Sequence, residues 1–244
     1  MREATRGSHR EAERSGVIAE LLTGQLALGS YVLYLRNLVH VYRALESALL
    51  CHSESPGLGD LVPNGLFRSA PLASDLGKLT GPGWESGLKL LNSARRYSNR
   101  ITLVSKDGGH RLIAHAYVRY LGDLNGGQLL ARILSRKNGF RSDQLAFYRF
   151  DDIEHIDTVK RRMIERIDWY GTTLIDPGPI VEEAERAFRF NIDLAKEASQ
   201  QALQPGSQRR PIRGRPCTTR KRSPRAVSDC RSGARFLKPK PPRS

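Results

Sequence analysis

Cysteine is scarce in this chain of 244 residues: Cys51, Cys217 and Cys230 are the three present. They are odd in number and widely spaced, and no C-x-x-C pair occurs. That argues against a disulfide scaffold, a structural zinc site and an iron–sulfur cluster. Long apolar runs are missing too. The best candidate, Gly29 to Leu50, is broken by Arg36, His40, Arg43 and Glu46. A membrane-spanning helix needs about 20 uninterrupted apolar residues, so no transmembrane anchor is expected. The opening Met-Arg-Glu-Ala-Thr is polar at once, and no secretory leader is expected. The default expectation is a soluble, cytoplasmic protein. Alternating apolar and polar residues are absent, so no sheet is expected. Neither a phosphate loop of the form G-x-x-x-x-G-K-[ST] nor a dinucleotide fingerprint G-x-G-x-x-G occurs.

Acidic residues are lacking only at one end. The net charge is +15, and residues 205–244 hold 13 of the basic residues against one acid, Asp229. Residues 1–204 are close to neutral, so the basic pI is no sign that the whole chain binds nucleic acid. Seven of the 13 prolines also fall in that last segment. The reading is a folded domain over 1–204 and a disordered basic tail over 205–244. Such a tail suits loose contact with acidic surfaces, either lipid headgroups or nucleic acid. A stretch under no functional constraint would look the same.

The domain reads as all-α. Tyr31, Tyr34, Leu35, Leu38, Tyr42, Leu45 and Leu49 recur every three or four residues, one apolar stripe on a helix. Ile113, Tyr117, Tyr120, Leu124, Gly127, Ala131 and Leu134 make a second stripe. Val181, Ala184, Phe188, Asn191 and Ala195 make a third, after the breaker at 176–179. Weaker helical patterns cover 2–14, 84–97 and 156–170.

The segment Tyr117-Val-Arg-Tyr-Leu-Gly-Asp-Leu-Asn-Gly-Gly-Gln128 is the most informative. Gly122, Gly126 and Gly127 each cost a helix about 0.8–1 kcal/mol relative to Ala. A helix that keeps them gains either a kink or a backbone able to lie against another body. Arg119, Asp123 and Gly126 share a face by helical spacing. A bare surface beside a guanidinium and a carboxylate suits a flat, bulky ligand with acid groups. Close helix–helix packing is the competing meaning of Gly122-x-x-x-Gly126.

Near the start, His9 and Glu13 stand one helical turn apart and can touch. A carboxylate beside an imidazole fixes its tautomer, as a metal-bound histidine requires. An isolated histidine on a polar helix is otherwise a surface residue.

Together the two segments resemble the heme oxygenase family. The pattern A-T-x-x-x-H-x-x-x-E around His9 is similar to that family's proximal helix. The pattern Tyr117-x-Arg-Tyr-Leu-Gly-Asp-Leu-x-Gly-Gly-Gln128 is similar to its distal helix. Tyr42-Arg-Ala-Leu-Glu46, Trp84, Tyr97 and Glu182-Glu-Ala-x-x-Ala-Phe188-x-x-Asn191 agree as well. The resemblance spans about residues 2–200.

The resemblance implies a single helical domain with heme between a proximal helix and a glycine-kinked distal helix. It implies oxidative opening of heme to biliverdin, with release of iron and carbon monoxide. Heme would be substrate and cofactor at once, with molecular oxygen as co-substrate. His9 would ligate the iron. Gly122, Gly126 and Gly127 would let backbone press on the porphyrin, and Asp123 would order water above it. Arg2, Arg6, Tyr117, Arg119 and Lys160 would meet the propionates, and Phe188 and Asn191 would border the pocket. Ile164 stands where many relatives carry an arginine, which bears on heme seating. Tyr42 is available to the distal hydrogen bonds. An external electron donor is implied, a ferredoxin, flavodoxin or flavoprotein reductase docking near residues 160–166. The other reading is a heme-binding storage, transport or sensor protein without turnover.

Overall fold

The computed structural model describes residues 1–55, 57–59 and 61–202. The expected tail and the boundary drawn at residue 204 lie outside the described residues. Within them the chain forms helices and turns, with no strand. Two short helices, α1 (Arg6–Glu13) and α2 (Gly16–Thr23), precede the long α3 (Leu28–Cys51). Next come α4 (Ser69–Thr80), the single turn α5 (Trp84–Gly87) and α6 (Asn92–Lys106). The third apolar stripe forms α10 (Gly178–Ala202), after α9 (Ile156–Thr173).

The stripe expected on α3 is the centre of the core. Leu35, Tyr42 and Leu45 are fully buried, and α3 packs against α4, α6 and α10. Each such side chain contributes about 1.5–3 kcal/mol by leaving water. The helix expected over 84–97 is instead divided. Residues 88–91 run extended, and α3 satisfies their backbone. Asn37 Nδ2 donates to Lys89 O at 3.1 Å, and Leu91 N donates to Asn37 Oδ1 at 2.8 Å. A buried asparagine can hold an extended strip that helix propensity alone would not predict.

The second stripe forms α7 (Leu112–Ala116), a π-helical turn at Tyr117–Leu121, and α8 (Gly122–Asn138). The widening thus lies before the glycines, not at them. Gly122 is helical, with φ −61° and ψ −47°. The interruption of α geometry is a π turn directly before Gly122, and helix continues through the glycines. Such turns are rare and favour functional positions, because one extra residue re-aims the side chains around it.

Three buried ionic groups hold the framework around this helix. Asp75 accepts from the backbone N–H of Ala146 and Phe147, at 2.9 and 2.8 Å, tying the 146–150 loop to α4. Arg68 stacks on Phe150 and donates to Arg149 O at 2.6 Å. Glu183 on α10 accepts from Arg100 on α6 and lies 3.2 Å from His115 Nε2 on α7. Burial alone would raise the Glu183 carboxyl, yet the bonds from Arg100 and His115 outweigh it and bring it down to about 2.

Gly16 seats α1 and α2 on α10. Its φ is +49°, and a Cβ there would lie 2.2 Å from Ala195 O. Only glycine permits both the conformation and the approach. Lys196 Nζ, 3.3 Å from Glu11 Oε1, adds a surface tie between α10 and α1.

Candidate functional site

A cavity of about 1310 Å³ opens between α1, the 117–130 stretch, α9 and α10. Ligand pockets typically measure roughly 300–1,000 Å³, so this one suits a large molecule. Its walls differ in chemistry. Arg2, Arg6, His9, Arg10 and Glu13 line one side. Tyr117, Val118, Gly122, Asp123, Gly127 and Leu130 line another, while α9 contributes Ile164 and Ile167 and α10 contributes Phe188 and Asn191.

The α1 side is polar and open. α1 buries none of its residues, and the His9 side chain is 57% exposed. His9 Nδ1 lies 3.6 Å from Glu13 Oε1, the one-turn pairing expected from the spacing. The ring meets Phe188 edge-on, with centroids 5.9 Å apart at 71°. That contact and the carboxylate orient an imidazole that would otherwise rotate freely in solvent.

The wall from the 117–127 stretch joins bare backbone to a buried polar network. A Cβ on Gly122 would meet no atom within 4 Å. Beside it, Asp123 accepts a short hydrogen bond from the Tyr42 hydroxyl. Arg119 Nη2 donates to Tyr42 Oη at 2.8 Å and lies 3.4 Å from Asp123 Oδ1, while its Nη1 donates to Asn191 Oδ1 at 2.7 Å. Burial raises the Asp123 carboxyl from its ordinary value, against the opposing pull of Arg119, Tyr42 and Arg68. Burial also works against the Arg119 charge, but Tyr42 and Asp123 hold it protonated.

The expected site residues fall into three groups. Arg2, Arg6, His9, Tyr117, Gly122, Asp123, Gly127, Phe188 and Asn191 converge on the one cavity. Arg119 also lines it, but its guanidinium is committed to Tyr42, Asn191 and Asp123. Arg119 thus stands at the cavity and also orders the interior network. Gly126 and Lys160 are not among the lining residues. A Cβ on Gly126 meets open space, and Lys160 Nζ is held 2.6 Å from Asp157. Ile164 does line the cavity. A Cβ on Gly127 would touch the Tyr148 ring at 3.5 Å, so that glycine borders a side chain as well as the cavity.

Tyr34 and Tyr148 also line the cavity, and neither was singled out from the sequence. Tyr34 looked like one more core position of the α3 stripe. The signal was its spacing of eight from Tyr42, two helical turns, which places both on one face. Tyr148 carried no such signal. Of the other histidines besides His115, His40 pairs with Ser98, His52 with Ser105 and His110 with Tyr170, while His155 is exposed beside Glu154.

A sequence model of the heme oxygenase family matches residues 1–197. A heme oxygenase from Guillardia theta is 37% identical over 198 residues, covering 81% of this chain and 84% of that one. Heme oxygenase 1 from Homo sapiens is 33% identical over 200 residues, covering 81% and 69%. Among solved structures, heme oxygenase-1 from the cyanobacterium Synechocystis, in complex with heme, superposes with a TM-score of 0.76 at 31% identity. That match covers 82% of this chain and 90% of that one. The match in sequence runs through α1 and the 117–128 segment, the two elements that meet at the cavity, and the chain belongs to the heme oxygenase family.

Proposed function

We propose that the cavity binds heme and that the protein opens the macrocycle to biliverdin. The observation that carries this reading is the shared cavity, with His9 in one wall and the Gly122–Asp123 segment in another. The residues fit the group. An imidazole with a carboxylate beside it suits iron ligation, and the open space over Gly122 suits a flat ring. Bound heme supplies both the iron that activates oxygen and the carbon skeleton that is cut, releasing iron and carbon monoxide.

His9 binds the metal, and Glu13 steadies the ring nitrogen that faces it. Arg2, Arg6 and Tyr117 receive the propionates, with Arg10 alongside. Phe188, Ile164 and Ile167 supply apolar contact and displace water. Asp123 holds water by its remaining lone pairs, since a carboxylate has about four acceptor positions and the network uses only some. Arg119 and Tyr42 fix where that carboxylate points, and Asn191 fixes Arg119. Preorganised groups of this kind need no rearrangement when charge develops.

Electrons come from a separate redox protein, because the chain has no nicotinamide or flavin fingerprint. Arg161 and Arg162 are exposed on α9 and offer a docking face to an acidic ferredoxin, flavodoxin or reductase. No helix among the described residues is long and apolar enough to cross a membrane, which accords with a cytoplasmic enzyme.

The test is spectroscopic. Heme-loaded protein is given oxygen and ascorbate or a reductase system. Loss of the Soret band with growth of biliverdin absorption is expected. A Soret band that survives turnover conditions would instead mark a storage, transport or sensing protein.

A further inference from the structure

The Asp123 network does not use every hydroxyl on the cavity wall. Tyr34, on α3, is buried to 6% exposure and lines the cavity with Leu38, Val118 and Tyr148. The Arg119 guanidinium lies near enough to act on it electrostatically. A guanidinium can only donate, so Arg119 cannot take up the phenolic proton. No described carbonyl, carboxylate or hydroxyl accepts from Tyr34. The nearby phenols differ. Tyr42 gives its proton to Asp123, while the Tyr148 hydroxyl accepts from Tyr31 at 3.2 Å and is held toward that residue, which does not line the cavity. Tyr120 has a hydroxyl sealed in the interior with no partner among the described residues.

We propose that Tyr34 is a second hydrogen-bond donor of this pocket, presenting its phenolic proton to the diatomic ligand or water held over the Gly122 ledge. The inference rests on the heme-binding reading above. Two features support it. Among the described residues none accepts that proton, the cavity lies open beside it, and a buried donor left unsatisfied is costly. Burial also keeps the phenol protonated, above its ordinary value, so the donor persists through the neutral range. Arg119 reinforces the polarity, because a cation at the phenol oxygen makes its proton a better donor. Tyr34 thereby becomes a positioning residue that biases where the bound ligand leans.

The test compares full-length wild type, Tyr34→Phe and Tyr120→Phe, each loaded with heme. Tyr34→Phe keeps the ring and removes only the hydroxyl, so packing is preserved. In the ferrous carbonyl complex, loss of a donor to the ligand oxygen moves the C–O stretch to higher frequency. In the ferric form, azide binds about fivefold more weakly, the loss of one neutral hydrogen bond. Tyr120→Phe removes a sealed hydroxyl that does not face the cavity, and leaves both readings in place. The inference is overturned if Tyr34→Phe leaves the stretch and the azide affinity unchanged. It is equally overturned if Tyr120→Phe moves them as far, since hydroxyl loss would then act through packing. A wild-type chain that takes up no heme overturns the functional reading, and this inference with it.

Discussion

Arg119 Nη1 donates to Asn191 Oδ1 at 2.7 Å, joining the π turn to α10 across 72 residues of sequence. Asn191 is itself held, donating from Nδ2 to Ala187 O at 2.8 Å. The guanidinium therefore has a fixed plane. Its other edge meets Tyr42 and Asp123, so the position of one carboxylate is set from three helices.

Removing that carboxylate separates binding from chemistry. Asp123→Ala leaves the His9 wall and the Gly122 ledge intact, and the Soret band of the loaded protein should persist. Biliverdin formation should fall by about 100-fold, the usual scale for loss of a preorganised polar group. Unaltered biliverdin yield in single-turnover assays would rule Asp123 out.

His9→Ala removes the one imidazole described on the α1 wall. The loaded variant should lose the visible and paramagnetic signature of imidazole ligation, and added free imidazole should restore it. Arg2, Arg6 and Arg10 remain, so weak heme uptake should continue. Wild-type spectra without added imidazole would eliminate His9 as the iron ligand.

These assignments were legible in the sequence to different depths. Apolar stripes marked α3, α8 and α10 because each is long enough to repeat its period several times. α2 has eight residues, too few for an apolar period to repeat. α4 shows only Leu72 and Leu76 as buried apolar residues, too few to establish a period. At the site, His9 and Glu13 are a local pair, and spacing sufficed. The network around Arg119 was not legible, because its partners, Tyr42 and Asn191, are 77 and 72 residues away. Spacing reports which residues share a helix face. It does not report which neighbour that face meets.

Ile164 lines the cavity, and Lys160 is drawn toward Asp157. Ile164→Arg adds a cation at a half-exposed wall position. Heme should bind about twofold to fivefold more tightly, matching the roughly 0.3–1 kcal/mol of an exposed ion pair. The ratio of biliverdin isomers should change if the propionates turn toward the new charge. Unchanged affinity and isomer ratio would show that the propionates lie with Arg2 and Arg6 alone.

Acid stability follows from α10. The Glu183 carboxyl titrates at about 2 in the folded protein, against an ordinary 4.5. Its stabilisation is complete above 4.5 and is lost as pH falls toward 2. Burial lowers the His115 pKa as well, so the unfolded chain takes up that proton first and acid again favours unfolding. Glu183→Gln should cost about 3 kcal/mol at pH 7, the usual result of breaking a buried pair. It should also flatten the fall in stability between pH 4.5 and 2. Urea unfolding across pH checks both, and parallel wild-type and variant profiles would refute the linkage.

Gly122→Ala separates what the protein needs from what its ligand needs. The backbone there is ordinary helix, and an added Cβ meets no protein atom. With no ligand present, the variant should gain about 0.5–1 kcal/mol, because alanine loses less entropy than glycine on entering a helix. A ring lying against that ledge would meet the new methyl group. Heme affinity should therefore drop in a protein whose melting temperature has risen. This opposite movement is the diagnostic result, since general damage lowers both quantities together. A variant that is more stable and binds heme as tightly as wild type would place the macrocycle away from Gly122.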